Sequence, residues 1–398
     1  MQKILIAHSW MERGGSEATA MWALQALQDN YEVTFVTASE IDFKELNRAY
    51  GTKVDPLKIK SLKAPHLPTA AGPTKWVHAQ NRLFERHCQK LAPRFDLCLS
   101  AYNPVDFGKP SIQLIGDFSF SEEMRKRLYT HTNEQFRHRD TLLRRLYLRL
   151  GDWIGVRQRP LHSRGDLLLA NSQWSAGLLS EAFGVPNAPV IYPPVVLPKA
   201  SPHSERNPIG FACLGRVVPE KEIERVVSIL KAVRARGHAV TLRLMGALHD
   251  TPYSRSVGRL IAEESWIEPE GFLMLEEKQR ILSSVTYALH ACRIEAFGIA
   301  VAEMSSMGCI PFVPDTGGAV EIVDRPELQY GTDEEAVAKI VQLLENPDRL
   351  PGLRESLVGE MDRFGPEIFM KELREHVLEF MRSANLDGAT EKDSAASH

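Results

Sequence analysis

Residues 198–208 read PKASPHSERNP, a polar and proline-rich run without hydrophobic periodicity. Such a composition is typical of a linker between structured units. At 398 residues the chain is too long for one ordinary hydrophobic core and long enough for two. We therefore predict an N-terminal domain over residues 1–198, a linker over 199–208 and a C-terminal domain over 209–365.

Short apolar runs alternate with longer helical patterns on both sides of this linker. Near-continuous apolar runs are typical of strands buried on both faces, and so of parallel sheets covered by helices. The predicted strands are Ile4–His8, Val33–Thr37, Leu97–Tyr102, Ile112–Ile115, Leu167–Asn171 and Val190–Tyr192, then Gly210–Leu214, Val240–Met245, Phe272–Leu273, Ala288–Ala291 and Ile310–Val313. The two series predict two Rossmann-like, doubly wound α/β domains that face each other across a cleft.

The end of the chain has a different pattern. Apolar residues at helical spacing over 366–384 predict a last helix that crosses back to the N-terminal domain. Residues 385–398 are small and polar and predict a disordered tail.

Composition excludes several classes of protein. Hydrophobic residues make up 43% and charged residues 25% of the chain, as in soluble globular proteins. The formal net charge of −3 gives no overall attraction to nucleic acid, so no nucleic-acid partner is predicted and any anion binding is local.

Cysteine usage and hydropathy indicate the compartment. Five cysteines are scattered, and no two have the short spacing of a zinc site or a redox disulfide, so we predict buried free thiols in a reducing compartment. The first residues run into a strand without a secretory signal pattern, and no apolar stretch approaches the ~20 residues that span a bilayer. The sequence predicts a cytoplasmic protein, either free in the cytosol or held at the inner face of a membrane.

Two loops after predicted strands are suited to bind phosphate. Gly14 and Gly15 precede a helix, where backbone N–H groups can approach an anion, although a plain turn explains paired glycines equally well. Arg216 and Lys221 follow the first strand of the second series and can both reach a diphosphate, with solvated surface charges as the alternative.

A third such loop runs from Glu295 to Glu303. Gly298 stands where a helix should begin, and the first turn of that helix can present free N–H groups to phosphate. One carboxylate can then face a sugar ring while the other reaches a ribose. Isolated glutamates on a helix usually face solvent, but three anion-friendly loops in one chain favour a binding site.

Further motifs accompany these loops in a fixed order. They are Ala170-Asn171-Ser172, Ile191-Tyr192-Pro193-Pro194-Val195, and Gly317-Gly318 with Glu321. Together with the three loops they resemble the retaining GT-B glycosyltransferases of family four over most of the chain. The stretch Phe297–Val323 and the Tyr-Pro-Pro segment are similar to mannosyltransferases that extend lipid-linked oligosaccharides.

The resemblance implies a role for each charged residue of the loops. Arg216 and Lys221 would neutralise the diphosphate of a nucleotide-sugar donor, so that neither a metal nor a cofactor is needed. Glu303 would hold the ribose hydroxyls, and Glu295 the transferred sugar near its reacting carbon. The D-x-D pair expected of the metal-dependent GT-A alternative does not occur in the sequence.

The resemblance also implies which backbone groups bind the donor. Phe297, Gly298 and Ile299 would offer backbone groups to phosphate or sugar hydroxyls. Gly14 and Gly15 would close over the donor from the opposite domain.

One position departs from the family pattern. A histidine often follows a first-domain strand in that family, and glycine stands at the corresponding place, Gly116. In one interpretation Asp117 takes over contact with the sugar or acceptor. In another His131 extends into the site from elsewhere in the chain, with a surface histidine as the alternative for this residue.

An arginine-rich stretch over 137–164 is the feature of the sequence that bears on how the acceptor is reached. Interleaved leucines and a tryptophan make it a candidate for contact with an anionic membrane surface. A solvated helix packed on its own domain is the alternative.

These observations predict a retaining hexosyltransferase that moves a hexose from GDP-mannose or a UDP-sugar to a hydroxyl of a glycan, glycolipid or small-molecule acceptor. A nucleotide-sugar 2-epimerase is an alternative with a similar architecture. A non-catalytic subunit that binds nucleotide sugar is a third hypothesis.

Overall fold

The computed structural model describes residues 1–11, 14–67, 76–129, 142–155, 159–197 and 205–395. Its strands form two six-stranded sheets in which every named strand pair is parallel. The first sheet contains β1 (Lys3–Ala7), β2 (Glu32–Thr37), β3 (Ile59–Lys63), β4 (Leu97–Ser100), β5 (Ile112–Ile115) and β6 (Leu167–Ala170). The second contains β7 (Asn207–Leu214), β8 (Thr241–Met245), β9 (Ile267–Gly271), β10 (Val285–Leu289), β11 (Ile310–Pro314) and β12 (Gln329–Tyr330).

Both sheets have the same topology. The spatial order is β3-β2-β1-β4-β5-β6 in the first sheet and β9-β8-β7-β10-β11-β12 in the second. This is the doubly wound order of dinucleotide-binding folds, whose ligands lie beyond the carboxyl ends of the central strands. The prediction of two Rossmann-like α/β domains is therefore confirmed.

Helices connect successive strands and cover the sheets. The N-terminal domain has α1 (Gly15–Leu27), α2 (Phe43–Tyr50), α3 (Val77–Leu91), α4 (Glu122–Leu128), α5 (Leu142–Ile154) and α6 (Gln173–Phe183). The C-terminal part has α7 (Ile223–Ala235), α8 (Pro252–Ala262), α9 (Leu275–Ser284), α10 (Ile299–Ser306), α11 (Ala319–Ile322), α12 (Asp333–Leu344), α13 (Leu350–Glu360) and α14 (Pro366–Ala395). Within the described ranges, no helix is long and apolar enough to cross a membrane.

The last helix joins the core of the first domain. Phe369, Leu373 and Val377 of α14 are buried in one cluster with side chains of β1 and α1. The helix continues to Ala395, where a disordered tail from residue 385 is predicted above. Extending an existing helix fixes only one residue per added hydrogen bond, so weakly helical residues can follow a well-packed start.

Several boundaries differ from the predicted ones, among them that of β10, which begins three residues before the predicted Ala288. Val190–Tyr192 forms only an isolated bridge between Ala170 and Val190, because the two prolines that follow cannot donate to a ladder. Phe272–Leu273 lies outside β9, which ends at Gly271 in the left-handed conformation. β7 begins at Asn207, inside the predicted linker 199–208. The described part also contains β3 and β12, which the sequence analysis missed.

Candidate functional site

An ion pair between Lys221 and Glu295 lies where β7 and β10 end. Lys221 closes a short 3-10 turn after β7, and Glu295 lies on the loop between β10 and α10. The Lys221 ammonium donates to the Glu295 carboxylate, and their side chains are only 20% and 15% exposed. The structure thus joins two of the predicted catalytic residues, which are far apart in sequence.

Each member of this pair stabilises the charged form of the other. Burial disfavours the Glu295 carboxylate, but Lys221 and His290 outweigh burial and hold the pKa of Glu295 far below its usual value. His290 Nε2 lies 3.1 Å from a carboxylate oxygen of Glu295. Burial likewise opposes the Lys221 ammonium, and Glu295 outweighs it and raises the pKa of Lys221. Both groups are therefore charged at neutral pH.

Two glycines hold the backbone of the Glu295 loop. Gly317 has a φ of 81°, and a Cβ there would lie 2.7 Å from the Glu295 carbonyl oxygen. A Cβ on Gly318 would lie 2.2 Å from the Ala296 carbonyl oxygen. The Gly318 N–H donates to the Glu295 carbonyl at 2.7 Å. The Gly-Gly motif thus fixes the position of Glu295 by close backbone packing.

The start of α10 meets the first domain at Gly15. Gly298 caps α10 in the left-handed conformation, with a φ of 106°. A Cβ on Gly15 would lie 2.8 Å from the terminal methyl of Ile299. Phe297 is 2% exposed and packs against Tyr192, so its backbone rather than its ring can face a ligand. The predicted donor residues of both domains therefore meet at the N-terminus of α10, where free N–H groups and the helix dipole favour an anion.

Glu303 lies further along α10. Its carboxylate accepts a hydrogen bond from the Lys278 ammonium of α9, and the two side chains are 18% and 17% exposed. Hydroxyls of a ribose would have to share this carboxylate with Lys278.

Arg216 faces the first domain across the cleft. It is exposed, whereas the ion pair behind it is largely buried. Partial enclosure opposes its charge, but Tyr102 and Glu17 of the first domain, with other acids, raise the pKa of the guanidinium. Its charge therefore lies within electrostatic reach of the polar side chains that end the first sheet.

Asp117 belongs to a hydrogen-bonded cluster after β5. It accepts hydrogen bonds from the Tyr102 hydroxyl, from Asn103 Nδ2 at 2.9 Å and from the Ser119 N–H at 2.8 Å. A carboxylate with three donors is well suited to hold a fixed position.

Tyr102 also fills the space beside Gly116. A Cβ on Gly116 would lie 2.2 Å from the Tyr102 ring. A residue without a side chain is therefore required at position 116 by the ring of Tyr102. His131, the other suggested replacement, lies outside the described residues.

Two further polar residues, which the sequence analysis did not select, lie near Glu295. Burial, together with Asp117 and Glu295 among other groups, raises the pKa of the Tyr129 phenol, so this tyrosine stands between the two domains. His290 lies one residue beyond β10 and is 3% exposed. His290 falls inside the predicted strand Ala288–Ala291, where a histidine within an apolar run is a signal that could have found it, whereas no sequence signal marks Tyr129.

One trio of potential metal ligands exists among the described residues. One ligand atom each of His290, Cys292 and Glu295 lies within 4.8 Å of the others. However, the Lys221 ammonium already contacts Glu295, and burial raises the pKa of the Cys292 thiol to about 12. A protonated thiol and a neighbouring ammonium make the trio a poor host for a divalent cation.

The fold and the C-terminal sequence together define the class of this protein. Residues 208–346 match the family described as Glycosyl transferases group 1. This domain carries Lys221, Glu295 and Glu303, and with the doubly wound fold it confirms that the chain is an enzyme of the glycosyltransferase class with a GT-B architecture. No curated protein sequence matches the chain.

Solved structures with the same fold span nearly the whole chain. HepE from Anabaena, solved with UDP-glucose, has a TM-score of 0.68 and 18% identity, with 95% of this chain and 100% of that chain covered. Sucrose-phosphate synthase from Thermosynechococcus elongatus has a TM-score of 0.72 and 12% identity, with 96% and 100% covered. WaaG, a glycosyltransferase involved in lipopolysaccharide biosynthesis, has a TM-score of 0.66 and 13% identity, with 93% and 99% covered. At these identities the likeness concerns the fold.

Proposed function

We propose that this protein is a retaining, metal-independent hexosyltransferase that uses GDP-mannose or a UDP-sugar as donor. The observation that carries the proposal is the Lys221–Glu295 ion pair beside the N-terminus of α10. A fixed cation, a fixed carboxylate and free backbone N–H groups there suit the diphosphate and sugar of one ligand. The complex of Anabaena HepE with UDP-glucose, which shares the fold, supports a UDP-sugar as one choice of donor.

The charges account for bond cleavage. As the bond between the anomeric carbon and the diphosphate oxygen breaks, negative charge develops on the diphosphate. Lys221, Arg216 and the α10 dipole stabilise that charge, which is the main catalytic contribution that fixed groups can make. The acceptor hydroxyl attacks the anomeric carbon from the same face, and its proton passes to the departing diphosphate, so configuration is retained. Glu295, relieved of Lys221 by the phosphate, holds a hydroxyl of the transferred sugar.

The remaining donor contacts follow from the same geometry. Glu303 binds the ribose hydroxyls, with Lys278 holding its carboxylate in place. Gly14 and Gly15 cover the donor from the first domain, where Gly15 already contacts Ile299. Asp117 faces the sugar or the acceptor, because its cluster lies opposite Arg216. No resident metal or cofactor is required.

The acceptor is a hydroxyl of a glycan, a glycolipid or a small molecule, and the enzyme works in the cytoplasm at the inner face of a membrane. The five cysteines are all free and buried, as expected in a reducing compartment. Contact with the membrane is made through the stretch 137–164, of which 142–155 and 159–164 are described.

The test combines binding and turnover. A thermal-shift panel of nucleotide sugars should show a higher Tm with the true donor, because a ligand of the folded state raises stability by about 2.7 kcal/mol at 100 times its Kd. Transfer should continue in EDTA, and the anomeric proton of the product should show retained configuration by NMR. Lys221→Ala and Glu295→Ala should each lower turnover at least ~100-fold. Lys231→Ala, an exposed lysine on α7, is the matched control.

The alternatives give different results. An epimerase would change the donor sugar with no acceptor present, and a binding subunit would show a thermal shift without turnover under any condition. Full transfer activity of both Lys221→Ala and Glu295→Ala would refute the assigned site.

A further inference from the structure

The outer face of α5 carries an unbroken apolar stripe. Leu142, Leu146, Leu150 and Trp153 are 83%, 55%, 49% and 84% exposed. At ~100° per residue these four positions fall within an arc of ~80° on the helix surface. Single exposed apolar residues are normal, but a continuous row marks an interaction surface. We call these four residues the α5 stripe.

Contacts on the inner face fix the orientation of α5. The Tyr147 hydroxyl accepts a 2.8 Å hydrogen bond from the His78 N–H of α3. A Cβ on Gly151 would lie 2.3 Å from the His78 ring, so the two helices are in close contact there. Arg144 pairs with Glu122 of α4 at 2.9 Å. The stripe therefore cannot turn inward without breaking these contacts.

Cationic groups border the stripe. Arg145 and Arg149 are both exposed and fall on the arc next to Leu142 and Trp153. The one acid of the helix, Asp152, lies on the same flank as Arg145, but its carboxylate pairs with α3, 3.0 Å from His78 Nε2 and 3.6 Å from Arg82 Nε. An exposed apolar face with arginines along its edge is the arrangement of helices that lie in the interface of an anionic membrane.

An apolar cavity opens beside the stripe. Its volume is about 410 Å³, within the range of sites that bind small apolar molecules. Leu150 and Trp153 belong both to the stripe and to the wall of the cavity. Trp76, the residue before α3, is also part of that wall. Hydrocarbon in contact with the stripe is therefore next to a space that can receive one chain.

We propose that the α5 stripe docks this protein onto an anionic lipid bilayer, with one hydrocarbon chain entering the cavity between α3 and α5. Arg145 and Arg149 then lie at the level of the lipid phosphates, and Trp153 at the boundary between headgroups and chains. The purpose of docking, presentation of the cleft to a membrane-held acceptor, rests on the proposed function. The docking site refines the membrane contact proposed there, and its argument uses only α5 and the cavity beside it.

A second copy of the chain fits the same surface less well. A twofold contact between stripes would gather the arginines of both copies around one apolar patch, where like charges repel. A bilayer containing anionic lipid supplies hydrocarbon and negative charge together.

Flotation of the full chain with vesicles tests the proposal. Neutral phosphatidylcholine vesicles are compared with vesicles in which part of the lipid is phosphatidylglycerol. We expect binding to the anionic vesicles that weakens with salt. The double variant Leu146→Ser/Trp153→Ser should lower the partition coefficient at least about tenfold. Arg145→Gln/Arg149→Gln should lower it about fivefold per arginine on anionic vesicles only. The control Leu57→Ser, at a leucine 95% exposed elsewhere in the same domain, should bind as the wild type does.

Tryptophan fluorescence locates the contact. Vesicles with brominated acyl chains should quench the tryptophan fluorescence of the wild type more than that of Trp153→Phe. This variant keeps an apolar ring and should bind the vesicles as well as the wild type does. The proposal would be overturned if the wild type failed to float with anionic vesicles, or if the stripe variant floated as well as the wild type does. It would also be overturned if the stripe variant lost only a concentration-dependent dimer. Donor thermal shifts and transfer to a soluble acceptor are measured without vesicles, so failure of the proposed function would be seen separately.

Discussion

Glu321, on α11 of the C-terminal domain, accepts a 2.8 Å hydrogen bond from the backbone N–H of Trp174, in the first turn of α6 of the N-terminal domain. Its second carboxylate oxygen accepts from the Gln173 N–H at 2.9 Å and from the Tyr192 hydroxyl at 3.2 Å. Beside it, Ser172 Oγ donates to the Ala296 carbonyl at 2.6 Å. One domain thus caps a helix of the other immediately next to the Glu295 loop.

Replacing Glu321 should loosen this connection. Glu321→Ala removes a charged acceptor from a helix N-terminus, so we expect a loss of about 1–2 kcal/mol in the free energy of unfolding. The amides of Gln173 and Trp174 should exchange faster by hydrogen-exchange mass spectrometry. Glu355→Ala, at an exposed glutamate of α13, is the control. Unchanged exchange at the start of α6 would show that the cap does not hold the domains together.

A double-variant cycle separates the structural and catalytic parts of the Lys221–Glu295 pair. Lys221→Met or Glu295→Gln alone leaves a largely buried charge without its partner and should cost about 2–3 kcal/mol of stability. The combined variant should recover most of that loss, because neither charge remains. Transfer activity should stay low in all three variants. Recovery of activity together with stability would assign the pair a purely structural role.

A second cycle concerns Gly116 and Tyr102. Gly116→Ala places a methyl against the Tyr102 ring and should cost about 1–3 kcal/mol by overpacking. Adding Tyr102→Ala removes the obstruction, so the double variant should be less destabilised than the sum of the two single variants. Chemical denaturation measures all four proteins. Simple additivity would mean that the ring moves aside without cost.

The sequence predicted the central strands well because their runs are buried on both faces. β5, for example, has the predicted bounds of Ile112–Ile115. β3 was missed because Ile59 and Leu62, three residues apart, lie on opposite faces of a strand, so this edge strand shows neither an apolar run nor a regular alternation. β12 has two residues, too few for any periodicity.

The candidate site was predictable in its residues and not in its contacts. Lys221 and Glu295 lie in loops after β7 and β10, and both strands can be identified from the local sequence. Their ion pair depends on β7 and β10 being neighbours, which follows only from the topology of the sheet. The position of Tyr102 over Gly116 depends in the same way on the pairing of β4 with β5.

His8 provides a test by pH. It follows β1, is 4% exposed and stacks on Tyr102 with ring centroids 5.8 Å apart. Burial, opposed by Glu17, lowers the pKa of His8 below its usual 6.5, so the folded protein favours the neutral ring. The unfolded chain takes up this proton more readily, and stability therefore falls as pH drops through 6.5. The slope from this residue approaches about 1.4 kcal/mol per pH unit between the two pKa values. His8→Asn should remove this part of the slope in denaturation curves between pH 7.5 and about 5, whereas His249→Asn, at an exposed histidine, should keep it. An equal slope in His8→Asn and the wild type would mean that folding does not lower the pKa of His8.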